Sequence, residues 1–185
     1  GNSEIITYQT YFIKIPYIDF QTNIVINRLA NNLTQIAIDI RSLDDDQKAV
    51  LYKYFFENVY VFIEQESYSD KCEIFDVEKN NDDILFKVNF DISFFDNNFN
   101  LWIERAGIYK FIDSDIVDNL TILGLDFNPN VIVSYINYQR YLIICNGIDP
   151  VQYYDGNDLK ELKSDYQITQ ISIKKNSNNS LSITT

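Results

Sequence analysis

Isoleucines and aromatic residues recur at every second position in several short segments of this chain, the spacing that places one side of a β-strand in a core. Three such segments precede residue 41, and three more follow residue 58 after an interruption. The pattern predicts strands at Tyr11–Ile15, Asn23–Asn27, Gln35–Ile40, Val59–Ile63, Cys72–Val77 and Ile84–Phe90. Because polar loops separate the later segments, we expect antiparallel meanders.

The interruption has the period of a helix. Asp44, Asp45 and Asp46 offer a capping side chain and the negative charge that a helix N-terminus favours. Apolar residues follow at helical spacing, at Val50, Leu51, Tyr54 and Phe55. The sequence therefore predicts one amphipathic helix from about Asp44 to Phe56.

The segment from Phe94 to Asp118 fits two structures. It could contain short strands, one of them at Leu101–Ile103, or a short helix that begins at Ser114. We place a soft boundary near residue 113, between a β-rich domain with the helix, 1–112, and a smaller β-meander unit, 113–185; a single domain is the alternative. The Asn- and Ser-rich residues 176–180 have the composition of a flexible tail, and a turn before a last strand at 181–185 is the alternative.

Together these elements predict an α+β, β-rich fold of antiparallel meanders, sandwich-like or barrel-like, with one amphipathic helix. A hydrophobic content of 46% and an aromatic content of 15% are typical of a folded globular protein. The 28 isoleucines against 13 leucines also favour strands, and codon usage in an AT-rich genome would give the same bias.

The charge distribution argues against nucleic acid as a partner. The net charge is −12, with 16 acidic and 8 basic residues in 1–92 and 11 acidic and 7 basic residues in the remainder. Binding to phosphates requires a Lys/Arg face, and no basic cluster is visible. The chain also shows neither a membrane-length apolar run nor a signal peptide, so we expect a protein that is not secreted and has no membrane partner.

The composition excludes most common types of catalytic site. Without histidine, Ser-His-Asp and Cys-His arrangements and His-based zinc sites cannot form. The five glycines form no phosphate-binding loop, and no pair of carboxylates stands out. We therefore expect no catalytic activity and no cofactor, with a carboxylate-based hydrolase as the least favoured alternative.

Four segments are rich in the oxygen ligands that calcium prefers: Asp44–Asp46, Asn80–Asp83, Asp96–Asn98 and Asp155–Asp158. None has the alternating ligand spacing of a loop that wraps an ion. We therefore predict a helix cap for the first and hairpin turns for the other three, and calcium remains the alternative.

The cysteines and most of the tyrosines are expected to have structural roles. Cys72 and Cys145 lie in apolar, strand-like stretches, and we expect both to be buried and reduced, with a single disulfide between them as the alternative. The fourteen tyrosines are scattered over every predicted element, so we expect most of them to fill the core. A tyrosine-rich face for a protein or a glycan is the alternative.

The densest turn signals lie near the end of the chain. Asn146-Gly147 and Asp155-Gly156 each close a run of β-branched and aromatic residues, and both dipeptides tolerate positive φ in a hairpin turn. The first continues as Asn-Gly-x-Asp-Pro, up to Pro150. This spacing predicts an antiparallel meander with tight turns.

Leu120–Phe127 and the run from Tyr138 to Gly156 resemble the opening blade of propeller-like virion structural proteins of tailed bacteriophages and prophages. Such proteins are tail or head-to-tail connector components without catalytic activity. The resemblance covers 120–162 and implies a structural role for its turn residues, Asn146, Gly147, Asp149, Pro150, Tyr154, Asp155 and Gly156. A propeller closes only with several blades, whereas about one fits here, so we expect either a truncated chain or another fold built on the meander.

The resulting expectation is a non-enzymatic structural or assembly protein, a phage-derived virion component that acts through protein–protein contacts with copies of itself or with other virion proteins. Exposed strand edges are the expected contact points. A stand-alone protein- or glycan-binding module is the alternative, and a concave aromatic patch would favour it.

Overall fold

The computed structural model describes residues 4–65, 68–89, 99–112, 120–163, 172–175 and 181–184. Within these ranges the helix α1 is Asp45–Tyr54. The strands are β1 Glu4–Lys14, β2 Ile24–Arg28, β3 Thr34–Asp39, β4 Tyr60–Gln65, β5 Tyr68–Lys79, β6 Asp83–Val88, β7 Asn100–Ile112, β8 Leu120–Phe127, β9 Ser134–Tyr138, β10 Tyr141–Cys145, β11 Gln152–Tyr154, β12 Leu159–Glu161, β13 Ser172–Lys175 and β14 Leu181–Thr184.

An antiparallel sheet with the strand order β1-β7-β4-β5-β6-β3-β2 forms the first part of the molecule. Two long strands change partners along their length. β5 pairs with β4 up to Glu73 and with β6 from Ile74, and the register shifts between Ile74 and Asp76. β7 pairs with β4 up to Ile103 and with β8 from Ala106, while β1 follows its whole other side. The β-rich, antiparallel fold with one helix is therefore confirmed.

The main core lies under this sheet and the helix. β3 and β6 alternate buried and half-buried residues, and every isoleucine of the predicted third strand, at positions 36, 38 and 40, is inaccessible to solvent. Leu51 of the helix and Phe55, the C-terminal cap of the helix, are equally inaccessible to solvent. The period-two pattern thus forms the core side of β3 and β6, as predicted.

A second layer forms around the far end of β7. The strands β12-β11-β10-β9 make a separate four-stranded sheet in which each strand pairs with its neighbour in the sequence. Ile144 and Tyr154 of this sheet are buried, as are Ala106 and Ile108 of β7. β7 therefore takes part in both layers. The boundary near residue 113 stays a prediction.

Local predictions agree closely with the structure. Asp44 caps the helix, and its side chain and that of Gln47 bond reciprocally to each other's backbone N–H groups. β1 begins at Glu4, seven residues before the predicted strand start at residue 11. Leu101–Ile103 is a strand, part of the longer β7, while Phe94–Phe95 and the alternative helix start at Ser114 lie outside the described residues.

Candidate functional site

The Asn146–Pro150 motif forms a compact turn between β10 and β11. The Asn146 Oδ1 accepts the backbone N–H groups of Ile148 at 3.0 Å and Asp149 at 2.8 Å. Gly147 has a φ of 78°, in the left-handed region that glycine adopts without strain. The turn therefore has the local geometry that its residue types favour.

Asp149 joins this turn to the segment that follows β8. Its Oδ2 accepts the backbone N–H of Asn128 and the Asn146 Nδ2, both at 2.7 Å, and its Oδ1 accepts the Asn128 Nδ2 at 2.6 Å. The Tyr8 hydroxyl, from β1, accepts the Asn146 Nδ2 and donates to the Asn128 carbonyl. Burial raises the pKa of Tyr8 to about 12. The motif therefore links three distant segments through a half-buried hydrogen-bond network.

The second turn motif is anchored on a buried tyrosine. The Tyr154 hydroxyl donates to the Gly156 carbonyl at 2.6 Å and accepts the Lys110 Nζ at 3.1 Å. The Asp155 Oδ1 accepts the N–H groups of Asn157 and Asp158, and these backbone bonds, with Lys160, hold the pKa of the Asp155 carboxyl far below its usual range. Tyr154, Asp155 and Gly156 therefore form one structural unit, and strand β11 connects this unit to the turn that ends at Pro150.

An ion pair that the sequence did not single out lies where helix α1 meets β7 and β8. Arg105 is fully buried, and its Nε and Nη2 donate to the Oδ1 and carbonyl oxygen of Asp126 at 2.9 and 2.8 Å. Its guanidinium lies 4.6 Å from the ring centroid of Tyr54, and Lys53 reaches the other Asp126 oxygen at 3.1 Å. The Asp126 N–H donates to the Tyr11 hydroxyl. Helix α1, β1, β7 and β8 therefore meet at Asp126.

Glu104 is the second buried charge in this region. Its Oε2 accepts the Asn130 Nδ2 at 2.9 Å and the backbone N–H of Tyr60 at 3.3 Å. The Asn130 amide also donates to the Asn58 carbonyl. No residue in the sequence around Glu104 marks it as buried.

The acidic segments have these local structures. Asp44–Asp46 begins the helix, and Asn80 accepts the N–H groups of Asp82 and Asp83 in the β5–β6 turn. Asp155–Asp158 forms the β11–β12 turn, and Asp96–Asn98 lies outside the described residues. Among the described residues, no group of three or more His, Cys, Asp or Glu side chains could hold a metal ion.

The outer side of the four-stranded sheet has an apolar, tyrosine-rich surface, which we call the aromatic face. Strand register places five residues on it, namely Ile136, Tyr138, Tyr141, Ile143 and Tyr153. Ile136 is 52% and Tyr138 58% exposed, and the Tyr141 and Tyr153 rings meet edge to face with centroids 5.5 Å apart. A cavity of about 440 Å³ opens on this face, and Leu162 and Lys163 complete its wall.

A smaller, more polar cavity of about 330 Å³ adjoins the aromatic face and shares the Tyr141 and Tyr153 rings with it. The Asp155–Lys160 ion pair, with an Oδ2–Nζ distance of 2.6 Å, forms part of its wall. Arg140 stacks on the Tyr141 ring, with its guanidinium 5.1 Å from the centroid. A concave aromatic surface with a polar rim is therefore present.

Strand β9 is the outer edge of the same sheet, and all five of its residues are exposed. The segment 131–139 contains neither a charged residue nor a proline. Ile132, just before the strand, is 90% exposed. Exposed strand edges were predicted from the sequence, but no local pattern indicated which strand would provide one.

Cysteine and tyrosine burial only partly follows expectation. Cys72 is buried, and burial raises its thiol pKa to about 12, whereas Cys145 is half-buried. Tyr54 and Tyr154 fill cores, but Tyr138 is largely exposed. The tyrosines of the second sheet therefore form a surface and not only a core.

Comparison with protein-family models, curated proteins and solved structures finds no match to this chain. No helix in the described part of the chain has the length and apolar character that crossing a membrane requires.

Proposed function

We propose that this chain is a non-enzymatic structural or assembly protein, a component of a tailed-phage virion that acts through contacts with other protein chains. Two features support this. The residues 120–162 resemble the opening blade of propeller-like virion proteins, and β9 to β12 form a four-stranded sheet in sequential order, the arrangement of a single blade. Its location is then the virion, or the bacterial cytoplasm before assembly.

The observation that carries the proposal is the unprotected edge strand β9. Natural edge strands avoid unwanted pairing through charges, prolines or bulges. The outer strand β12 follows this rule with Lys160 and Glu161, and β2 with Arg28. β9 has no such protection, so its free backbone groups can pair with a strand of another chain.

Light scattering and negative-stain microscopy of the full chain over a range of concentrations test strand addition. We expect rings, tubes or other assemblies larger than a dimer. Asn137→Lys places a charge on the exposed edge and should abolish them, whereas Asn157→Lys makes the same charge change in the β11–β12 turn and should not. A chain that stays monomeric throughout, or two variants that assemble alike, would exclude assembly through β9.

The identity of the neighbouring genes tests the assignment of this chain to a virion. Reading frames for capsid, portal or tail proteins should flank the frame of this chain. Neighbours from an unrelated metabolic operon would contradict the assignment while leaving the edge-strand experiment valid.

A second candidate function, a glycan-binding module, is favoured by the concave aromatic face. Tyrosine rings can stack on the apolar side of a sugar while the polar rim bonds its hydroxyls, and the cavity of about 440 Å³ has the size of a small-ligand site. A glycan array should then show binding that Tyr141→Ala abolishes and Tyr17→Ala, at an exposed tyrosine elsewhere, retains. No binding on the array excludes this candidate.

A further inference from the structure

Strand β1 forms an edge of the eight-stranded sheet and lacks the usual protection of such an edge. Among the described strands it pairs with β7 alone, and the register of this pair is regular over all eleven residues, without a bulge. Neither a charged residue nor a proline lies between Glu4 and Lys14, its two end residues. None of its residues is buried. Because natural edge strands avoid unwanted pairing through charges, prolines or bulges, β1 has the features of a strand that accepts a partner.

The backbone groups available to a partner belong to the even-numbered residues of β1. In an antiparallel pair, residues alternate between those that bond to the paired strand and those whose N–H and C=O groups point the other way. Directly after β1, the Ile15 N–H donates to the Leu101 carbonyl at 3.3 Å, in the register of β1 and β7. The odd-numbered residues of β1 therefore bond to β7, and the even-numbered ones, from Glu4 to Lys14, point their backbone groups away from it.

The charges at the two ends of β1 select a partner and a register. When a second copy of β1 lies antiparallel with its Lys14 opposite Glu4, an opposite-charge pair forms at each end of the strand pair. Gln9 then lies opposite itself on a two-fold axis, and Ile6 lies opposite Phe12. In this register even-numbered residues pair with even-numbered residues, so the outward N–H and C=O groups of the two copies face each other. The charge pattern and the hydrogen-bond pattern thus agree on one register.

The same register covers an exposed apolar side chain. Ile5 is 46% exposed, although it lies in a regular strand. In the paired strands it lies opposite Ile13, which packs against the main core of its own chain. Directly opposite side chains of an antiparallel pair are about 5 Å apart, so each Ile5 contacts an isoleucine of the other copy. Two-fold symmetry repeats this contact at both ends of the strand pair.

We propose that this chain forms a two-fold symmetric dimer in which the β1 strands of two copies pair antiparallel and join their eight-stranded sheets. The contact uses the backbone groups of β1, whereas the strand addition proposed above uses β9, in the other sheet. The two contacts are independent, and either can fail without the other. Where both form, the dimer is the unit that β9 builds into larger assemblies.

Disulfide trapping tests the two-fold axis. In a Cys145→Ala chain, whose remaining Cys72 is buried, Gln9→Cys places two thiols opposite each other with Cα atoms about 4.5 Å apart, within the range of a disulfide. Thr10→Cys is the matched control, because the two copies of position 10 are about 8 Å apart, beyond that range. Mild oxidation followed by a non-reducing denaturing gel should give a covalent dimer of Gln9→Cys and little of Thr10→Cys.

Charge exchange tests the register. Sedimentation velocity is measured on the Asn137→Lys chain, in which assembly through β9 is removed. Glu4→Lys or Lys14→Glu alone places like charges opposite each other twice per dimer and should raise the dissociation constant about tenfold. An equimolar mixture of the two variants restores both opposite-charge pairs and should dimerise as the parent does. Lys110, 3.6 Å from Glu4 in the same chain, is present in every sample, so only contact between chains explains the rescue.

Three outcomes would overturn the proposal. The Asn137→Lys chain, in which β1 is unaltered, could sediment as a monomer of 21.8 kDa at every concentration instead of as a dimer. The Gln9→Cys and Thr10→Cys chains could cross-link alike, which would mean random collision. The mixture of charge variants could also dimerise no better than either variant alone. The first measurement decides the question even where a β1 variant fails to fold.

Discussion

Arg105 and Asp126 show how single side chains connect helix α1 to the paired strands β7 and β8. A buried guanidinium has to be paired, because an unpaired charge in a core is strongly unfavourable. Asp126 accepts two of its donors, and among the described residues the Arg105 Nη1 is left without a partner. Asp126 itself has a φ of 70°, which aspartate tolerates better than most residues. The ion pair therefore fixes both the end of β8 and its distance from the helix.

We expect Asp126→Asn to lower the free energy of unfolding by about 2 kcal/mol, because the buried Arg105 guanidinium loses its negatively charged partner and keeps only neutral acceptors. Urea denaturation followed by circular dichroism measures the change. Lys53→Ala removes the other cation at the same carboxylate, but both side chains are nearly half exposed, so its effect should stay below about 0.5 kcal/mol. Equal effects of the two variants would show that Arg105 does not depend on this pair.

Gly147 supplies a second test at the residue scale. We expect Gly147→Ala to lower the free energy of unfolding by about 1 kcal/mol, because an alanine at a φ of 78° is strained although no atom obstructs its Cβ. Ile148→Ala, next to it and 61% exposed, should have almost no effect and is the control. A stability unchanged by Gly147→Ala would mean that the turn relaxes to another shape.

At the scale of elements, one short helix and long, shared strands organise the first layer. A ten-residue helix is marginal on its own, so α1 depends on its cap and on the burial of Leu51 and Tyr54. β7 runs for thirteen residues and pairs with β1, β4 and β8. Damage to β7 should therefore affect all three neighbouring strands, whereas damage to the helix cap stays local.

The capping box gives a prediction for the helix. Asp44→Ala should lower the free energy of unfolding by about 1 kcal/mol, since the N–H of Gln47 loses its acceptor. Asp44→Asn keeps an oxygen at the same place and should retain most of the stability. Thermal denaturation distinguishes the two variants. Equal losses of stability would show that the lost negative charge, and not the lost cap acceptor, causes the effect.

For the whole molecule, the Cys72 thiol and the phenols of Tyr8 and Tyr54 make stability depend on pH in the alkaline range. Burial raises the pKa of Cys72, Tyr8 and Tyr54 to about 12 each, from ordinary values of 9.0 for the thiol and 10.0 for the phenols. Above pH 9 the unfolded chain releases these protons while the folded chain keeps them, so alkali favours unfolding. Their contribution is complete below about pH 9 and is lost as the pH approaches 12.

We therefore expect the free energy of unfolding to decline between pH 9 and pH 12, and Cys72→Ala to make that decline shallower although it lowers stability at neutral pH. Urea titrations at several pH values measure the slope. Cys145→Ala removes the half-buried thiol and should leave the slope unchanged. A slope that Cys72→Ala does not alter would contradict the role of this thiol.

Most elements of the first layer could be predicted from local patterns. The helix, the six strands before residue 90 and the turns at Asn146-Gly147 and Asp155-Gly156 depend on residues close together in the sequence, and their period or φ preference is visible there. The pairing of β1 with β7 joins positions about a hundred residues apart, and no local pattern specifies it. The burial of Arg105 and Glu104 follows from that pairing. It could not be predicted from the sequence, because no local pattern specifies the pairing.

The sequence by itself determined which segments extend, where the helix begins and which dipeptides turn, because side-chain periodicity and backbone φ preferences act within a few residues. Only the tertiary structure decided which strands become neighbours, that Asp149 joins the turn to Asn128, and that one side of the second sheet is left apolar and exposed. Those features arise from contacts between distant segments, whose free energy depends on how whole layers pack and not on any single stretch of chain.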